Sequence, residues 1–356
     1  MKVKIGVVGA GTFGKGVLQA FRQSEYEGIA QLVALADLNK DVVKQQEKDF
    51  GIRGYTDYKE MLKKEELDAI AIITPDYLHR EIALYGAKQG KHIFVEKPLD
   101  VTVEGCNEII EATSESNLLL QVDFHKRFDP PHKMLKHKIE MGKLGEIQYG
   151  HMWMEDSIDV PSEMLLNWAS KSSPIWFLGV HCYDVIRFIL QCDAKRVLAS
   201  GQKKKLISMG IDTFDSVQTR VEFENGVIVN FDNSWILPKG FAAFTNQGLK
   251  VVGTEGICEI DSQNRGIEEC TSEKKGVKTP NAYFDLEERD LSNRTIYKGY
   301  KFDSIQNFAN NLYFIKNGGN IQELKGKYAS GEDGREATKI AEAANKSIKY
   351  NKIIDL

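Results

Sequence analysis

Short, nearly continuous apolar runs alternate with amphipathic segments through the first third of the chain. The opening run Val3-Lys4-Ile5-Gly6-Val7-Val8, then Gln31–Ala36, a stretch near Arg53–Tyr55, Ala69–Thr74, His92–Glu96 and Leu118–Val122 read as strands. Between them, Val42–Phe50, a segment through Met61, Leu78–Gln89 (closed by Gly90) and a segment beginning near Val103 read as helices. Strands without polar alternation are buried on both faces, which predicts a parallel, doubly wound sheet with helices on either side. The ligand of such a sheet sits in the crevice at the carboxyl ends of its strands.

From about residue 125 the pattern changes. Glu146–Met154, Arg196–Gly201, Val217–Glu224, Val227–Trp235 and Leu249–Ile260 are longer and partly alternating, which predicts a largely antiparallel sheet. Glu224-Asn225-Gly226 joins two of these strands as a hairpin, Asn-Gly being a preferred two-residue turn. Helices, among them Pro174–Leu190, should cover one face and leave the other open. An open face calls for a partner, so a homodimer or homotetramer joined sheet to sheet is expected. A C-terminal helix, Glu336–Lys349, precedes the apolar tail Ile353-Ile354-Asp355-Leu356, which should pack on the sheet domain. The expected fold is α/β: a doubly wound parallel sheet over residues 1–124, an α+β domain with a large, mostly antiparallel, open-faced sheet over 125–335, and a helix and tail over 336–356.

A chain of 356 residues is long enough for two domains. Its formal net charge of -4 and lack of a basic stripe argue against nucleic acid or an anionic membrane as partner. The longest apolar runs are strand-length, so no membrane span is expected, and the first residues enter a strand without a signal-peptide pattern. Five cysteines without CxxC spacing fit reduced thiols and a cytoplasmic location. No HExxH or clustered Cys/His pattern points to zinc, so no metal is expected.

The candidate chemistry starts where the first strand ends. Gly9-Ala10-Gly11-Thr12-Phe13-Gly14 follows Val8 and runs into a helix, the order that a dinucleotide pyrophosphate requires. Gly9 permits the tight turn, Gly11 lets backbone approach the phosphates, and Gly14 lets helix pack on strand. The helix start adds free N–H groups and a positive dipole end. The second strand ends in Asp37, a carboxylate that can accept both ribose hydroxyls and repel a 2′-phosphate. No arginine follows, only Leu38-Asn39-Lys40, so NAD is expected over NADP, with Lys40 the group that could still reach a phosphate. The alternative role for Asp37 is a helix N-cap.

Three further segments carry polar groups toward a cleft. Thr74-Pro75 leads into Asp76 and His79, which either contact the dinucleotide backbone or form a capped helix start with His79 on its exposed first turn. Glu96-Lys97-Pro98 places a lysine in the crevice, where partial burial beside a nicotinamide cation would favour the neutral amine and Glu96 could pair with it. The alternative is a surface lysine ending a strand. Val122–Pro130 hands the chain to the second domain, and Asp123, His125 and Arg127 are there either substrate contacts or solvated and salt-bridged groups. In the second domain, Ser173 can cap and Pro174 can open a helix that puts Phe177, His181 and Asp184 on one face. His181 with a carboxylate one turn on can handle a proton, or it is a core histidine satisfied by Asp184. Gly179 inside this helix costs about 1 kcal/mol against alanine, for which close approach of another group is a reason.

Together these segments resemble the Gfo/Idh/MocA oxidoreductase family over nearly the whole chain. The resemblance rests on Gly9–Gly14, Asp37, Thr74-Pro75 with His79, Arg127-Phe128 with Pro130 and, most specifically, Glu96-Lys97-Pro98 and the Gly-x-His-x-x-Asp segment Gly179–Asp184. It implies a Rossmann domain plus a mixed α/β domain whose open sheet forms dimers or tetramers. It further implies hydride transfer between a nicotinamide and a carbinol of a sugar, cyclitol or related polyol. Lys97 matches the family's catalytic lysine and His181 its histidine. The residues expected around the cofactor are Gly9, Gly11, Thr12, Phe13, Gly14, Asp37, Thr74, Pro75, His79 and Glu96.

Two positions depart from the family pattern. Phe177 stands where many members have an aspartate four residues before the histidine, and Asp123 replaces a small residue. Either Lys97 and His181 suffice, or Asp123 or Asp184 supplies the missing carboxylate. An aromatic at 177 points to an altered substrate. With Asp123, Phe177 and Asp184, His125 and Arg127 would line that substrate, and Arg127 could bind a carboxylate or phosphate. The rival expectation is a catalytically silent NAD-binding sensor of the same fold.

Overall fold

The computed structural model describes residues 1–272 and 276–356, which divide into two compact units. The first comprises Met1–Phe128 with Phe284–Arg335, the second Asp129–Tyr283 with Glu336–Leu356.

In the first unit, strands β1 (Val3–Val8), β2 (Ala30–Ala36), β3 (Arg53–Tyr55), β4 (Ala69–Ile72), β5 (His92–Glu96) and β6 (Leu120–Asp123) form one sheet in the order β3-β2-β1-β4-β5-β6. Neighbouring strands all run parallel. Helices α1 (Thr12–Tyr26), α2 (Lys40–Phe50), α3 (Tyr58–Lys64), α4 (His79–Lys88) and α5 (Val103–Glu115) lie between successive strands. All four residues of β4 are buried, as the missing alternation requires. Strand order reverses between β1 and β4, and the crevice outside the carboxyl ends at that switch is where such sheets hold ligands.

The chain continues through α6 (Pro130–Glu140), β7 (Ile147–Ser157), α7 (Val180–Leu190), β8 (Ala194–Gln202), a short α8 (Lys205–Ser208), β9 (Ser216–Phe223), β10 (Ile228–Leu237), β11 (Thr245–Gly253) and β12 (Ile257–Asp261). Then follow β13 (Leu286–Arg289), β14 (Thr295–Lys298), α9 (Tyr300–Lys316), α10 (Gly331–Tyr350) and β15 (Ile354–Asp355). The second sheet runs β12-β11-β7-β10-β9-β8-β15, parallel between β7 and β10 and antiparallel elsewhere. Alternation holds in β10, where Val229, Phe231, Asn233 and Trp235 are buried. On the other face Trp153 of β7 lies over Gly248 of β11, where a Cβ would sit 2.1 Å from the ring. Glycine leaves the room that ring occupies.

Three sequence expectations change. Leu249–Ile260 is a hairpin rather than one strand: β11 and β12 pair antiparallel, and Gly253 N donates to Gly256 O at 2.8 Å. The turn at Glu224–Gly226 holds three residues, because Phe223 N donates to Val227 O and Gly226 alone of the three has positive φ (84°). A two-residue type I′ turn would need positive φ at Asn225 as well.

The third concerns Phe284–Arg335, which chain order placed with the second domain and which clusters with the first unit. Here α9 buries Phe302, Ile305, Phe308, Ala309 and Leu312 in the same core as Val3, Ile5, Val7 and Phe94. Those five positions form one stripe on a helix, and a sheet covered on both faces has room for it. The tail behaves as expected: Ile354 and Asp355 pair with Val197 and Arg196 of β8. Among the described residues no helix is long and apolar enough to cross a membrane.

Candidate active site

β1 ends at Val8, and Gly9 N donates to Ala36 O at 2.8 Å, which ties the glycine turn to β2. Gly9 has φ 93°, and a Cβ there would sit 2.3 Å from Ile73 O. A Cβ on Gly14 would sit 2.2 Å from Gly9 O, whereas one on Gly11 would meet nothing within 4 Å. The turn is closed against protein at its ends and open in its middle, the side a pyrophosphate needs. Thr12 and Phe13 begin α1, whose first N–H groups border the same opening.

Asp37 accepts from Ala10 N through Oδ2 and from Asn39 N through Oδ1, both at 2.8 Å. The N-cap of α2 is Asn39, whose side chain accepts from Asp41 N and Val42 N, so the cap alternative for Asp37 does not apply. The carboxylate is held at the end of β2 by the loop it borders. These residues fit the pyrophosphate and ribose of a dinucleotide.

His79, the first residue of α4, is not on an exposed first turn. It is fully buried, with Nδ1 2.7 Å from Pro98 O and Nε2 2.9 Å from Thr74 O, and so ties two strand-end loops together. Burial holds its imidazole below the ordinary value, against the two carbonyls. Pro75 O accepts from Leu78 N at 2.9 Å, closing the turn into α4. Thr74 Oγ1 is buried and makes no hydrogen bond, a polar atom left over near the glycine turn.

Lys97 is 7% exposed, so the surface-lysine alternative falls away. Its Nζ lies 3.6 Å from Glu96 Oε1. Glu96 and Asp123 stand opposite each other in register on β5 and β6, and one oxygen of each, with a ring nitrogen of His125, lie within 4.8 Å of one another. Asp123 is fully buried and accepts from Ser304 Oγ of α9 at 2.6 Å. Burial pushes the Glu96 carboxyl well above the usual carboxylate range; Lys97 opposes that and Asp123 reinforces it. The His125 ring stacks on Tyr300 at 5.7 Å, with Phe13 and Phe284 at 6.3 and 5.7 Å, and burial lowers its value too. Arg127 is held inside the unit: its guanidinium meets the Asp333 carboxylate at 2.9 and 3.2 Å. The group that sequence offered to a substrate anion is already paired.

In the second unit, a π-helical turn over Ile175–Gly179 runs into α7. Its bonds span five residues instead of four, so an offset of four no longer equals one turn. The Ser173 hydroxyl is buried and makes no hydrogen bond, so it does not cap; its carbonyl accepts from Phe177 N at 3.0 Å. The Phe177 ring lies with Trp168 (6.2 Å) and Trp235 (5.7 Å). His181 is 4% exposed and Asp184 fully buried, both on α7. A Cβ on Gly179 would be 3.0 Å from Tyr183 Oη and 3.1 Å from Asn233 Oδ1, the close approach that its place in a helix suggested.

The first unit thus brings Glu96, Lys97, Asp123 and His125 together, while Phe177, His181 and Asp184 share one segment of the second. Sequence reasoning missed Tyr300, Ser304 and Asp333. The signal that could have found them is the apolar spacing of Phe302, Ile305, Phe308, Ala309 and Leu312, which marks a helix packed on a sheet without saying which sheet.

Two family models match the chain: the oxidoreductase family with NAD-binding Rossmann fold over residues 3–124, and the GFO/IDH/MocA C-terminal domain over 132–259. Myo-inositol 2-dehydrogenase of Thermotoga maritima is 26% identical over 359 residues, 99% of this chain and 98% of that protein. The scyllo-inositol 2-dehydrogenase (NAD(+)) of Bacillus subtilis is 30% identical over 233 residues, 64% of this chain and 65% of that one. The crystal structure of scyllo-inositol dehydrogenase from Lactobacillus casei with bound NAD(H) and scyllo-inositol shares the fold, with TM-score 0.77 and 19% identity over 100% of this chain and 99% of that one. The two matched domains span more than half of the chain, which belongs to the GFO/IDH/MocA family of NAD-dependent oxidoreductases.

Proposed function

We propose that this chain interconverts a carbinol and a carbonyl on a cyclitol or closely related polyol, with Lys97 taking or returning the hydroxyl proton and His181 assisting. The observation that carries this reading is the setting of Lys97: a buried amine at the carboxyl end of β5, beside Glu96, in the unit that holds the glycine turn. Relatives named for myo- and scyllo-inositol support the substrate class.

Bound NAD supplies the hydride acceptor. Gly9–Gly14 and Asp37 hold its pyrophosphate and ribose, and Thr74 Oγ1 offers a further polar contact. A neutral Lys97 amine is needed to take the proton, so oxidation quickens toward alkaline pH. Phe177, set among Trp168 and Trp235, favours a substrate less polar at that point than one matched to an aspartate.

The test is a panel of inositols, sugars, sugar acids and amino sugars with NAD, followed by absorbance of the reduced cofactor. Turnover of a cyclitol that is lost in Lys97→Ala with NAD binding retained supports the reading. NAD binding without turnover across the panel favours a catalytically silent sensor, for which Phe177 is the specific observation. The open face of the second sheet, with Trp153 laid over Gly248, is proposed as the surface joining copies into a homodimer or homotetramer. A light-scattering mass near 40.2 kDa overturns that assignment.

A further inference from the structure

Glu96 and Asp123 leave an electrostatic problem at the strand ends. Each keeps one oxygen, Glu96 Oε2 and Asp123 Oδ2, buried and without a hydrogen-bond donor. Asp123 is fully buried, and Glu96, although 15% of its side chain is exposed, has that oxygen sealed. Two anions at this spacing, out of water, repel each other strongly. One proton held between the two carboxyls removes one of the two charges.

The surroundings can be named from each packed element. Lys97 Nζ is 3.6 Å from Glu96 Oε1. From α9, Ser304 Oγ donates to Asp123 Oδ1, and His125 Nδ1 stands 3.9 Å from the same oxygen. Lys126, buried in the turn after β6, has Nζ 5.8 Å from the centre of the Tyr300 ring. His79 of α4 faces the Thr74 and Pro98 carbonyls, with Asp76 beside it in the same turn. Burial disfavours the charged form of both His79 and His125. Of the groups named, Lys97 faces Glu96 directly, while Lys126 lies beside His125 and Tyr300 and Asp76 beside His79.

We propose that Glu96 and Asp123 hold one proton between them, and that Asp123, by keeping it on Glu96, presents Lys97 with a neutral carboxyl and so sets the pH at which the amine becomes available. The proposal rests on Lys97 as the proton acceptor. Asp123 acts through Glu96 and is a positioning residue. Remove its charge, and Glu96 ionises 3.6 Å from Lys97 and holds the ammonium to higher pH. The substrate proton still goes to Lys97 Nζ, and the pair exchanges none with substrate.

The test has two arms. In the NAD-free protein at neutral pH, infrared spectroscopy should show a buried carboxylic C=O band that disappears in Glu96→Gln and weakens in Asp123→Asn. In the oxidation reaction, the alkaline rise of kcat/KM should move up by about one pH unit or more in Asp123→Asn. It should move less, in the same direction, in Ser304→Ala, which keeps the pair but removes a donor to Asp123. In Glu96→Gln it should stay nearly in place, because the carboxyl lost is the neutral one.

A uniform loss of rate in Asp123→Asn and Ser304→Ala with no shift overturns the proposal and leaves Lys97 in its role. So does the absence of the band from the unmodified protein. A stoichiometric divalent ion in the protein as isolated, whose removal by chelation shifts the profile, overturns it as well, since a cation would then do the neutralising. Normal turnover in Lys97→Ala would instead refute the proton-acceptor assignment, while the infrared band still reports on the pair.

Discussion

Set side by side, the two sheets spend their surfaces differently. In the first, strands such as β4 bury every residue, so helices take both faces and polar side chains collect beyond the strand ends: Asp37 after β2, Thr74 after β4, Lys97 after β5. In the second, β9 and β10 bury alternate residues, and Gln218, Arg220 and Asn230 stand exposed on the other face. A sheet buried on both sides confines chemistry to its rim; a sheet buried on one side keeps a whole face for something else. The pairing logic follows. At the rim, one residue past the strand decides a contact, whereas on the open face contacts depend on neighbours across strands, as with Trp153 and Gly248.

The sharpest way to break this comparison is to strip the rim of its amine. Lys97→Ala should lower kcat by roughly 10²–10⁴-fold while calorimetry returns an unchanged NAD affinity. Loss of NAD binding as well would mean that the strand end is chiefly structural. Next in size, Arg127→Ala takes the guanidinium from Asp333, which keeps the Ser330 N and Oγ donors, and should cost about 2 kcal/mol, read as a fall in Tm. An unchanged Tm with a raised KM would return Arg127 to the substrate.

Gly9→Ala forces a Cβ to within 2.3 Å of Ile73 O at φ 93° and should cost about 1–3 kcal/mol, with NAD affinity lost. On the open face, Trp153→Ala should change the stability of the fold by less than about 1 kcal/mol and yet lower the light-scattering mass. If the mass holds, copies meet elsewhere.

Acid gives a further contrast. Burial lowers the values of His79, His92 and His125, all in the first unit. A histidine held below its unfolded value stabilises the fold above that value and loses its contribution as pH falls through it. The first unit should therefore weaken below about pH 6.5. Glu96, shifted the other way, offsets part of that loss. Hydrogen exchange at β4, β5 and β6, measured at falling pH, checks the sign.

Much of this was legible in the chain because the signals are local. A glycine turn after an apolar strand, or a lysine closing one, is read within a few residues, and β3 and β5 lie where the pattern put them. The rest depended on partners distant in sequence. Nothing near Asp123 announces Ser304, and nothing near Arg127 announces Asp333. The burial of His79 follows from two carbonyls on separate loops, which spacing cannot reveal. The π-helical turn before α7 escaped for a different reason, since nothing in Ile175–Gly179 tells a five-residue hydrogen-bond span from a four-residue one.

Because α9 fills part of the core beneath the first sheet, that sheet cannot be finished from its own strands. During synthesis the nucleotide-binding half must wait, part of its apolar surface bare, until the ribosome has delivered Tyr300–Lys316. A fragment cut after β6 should clump or recruit chaperones, and adding the missing helix as a separate peptide should rescue it.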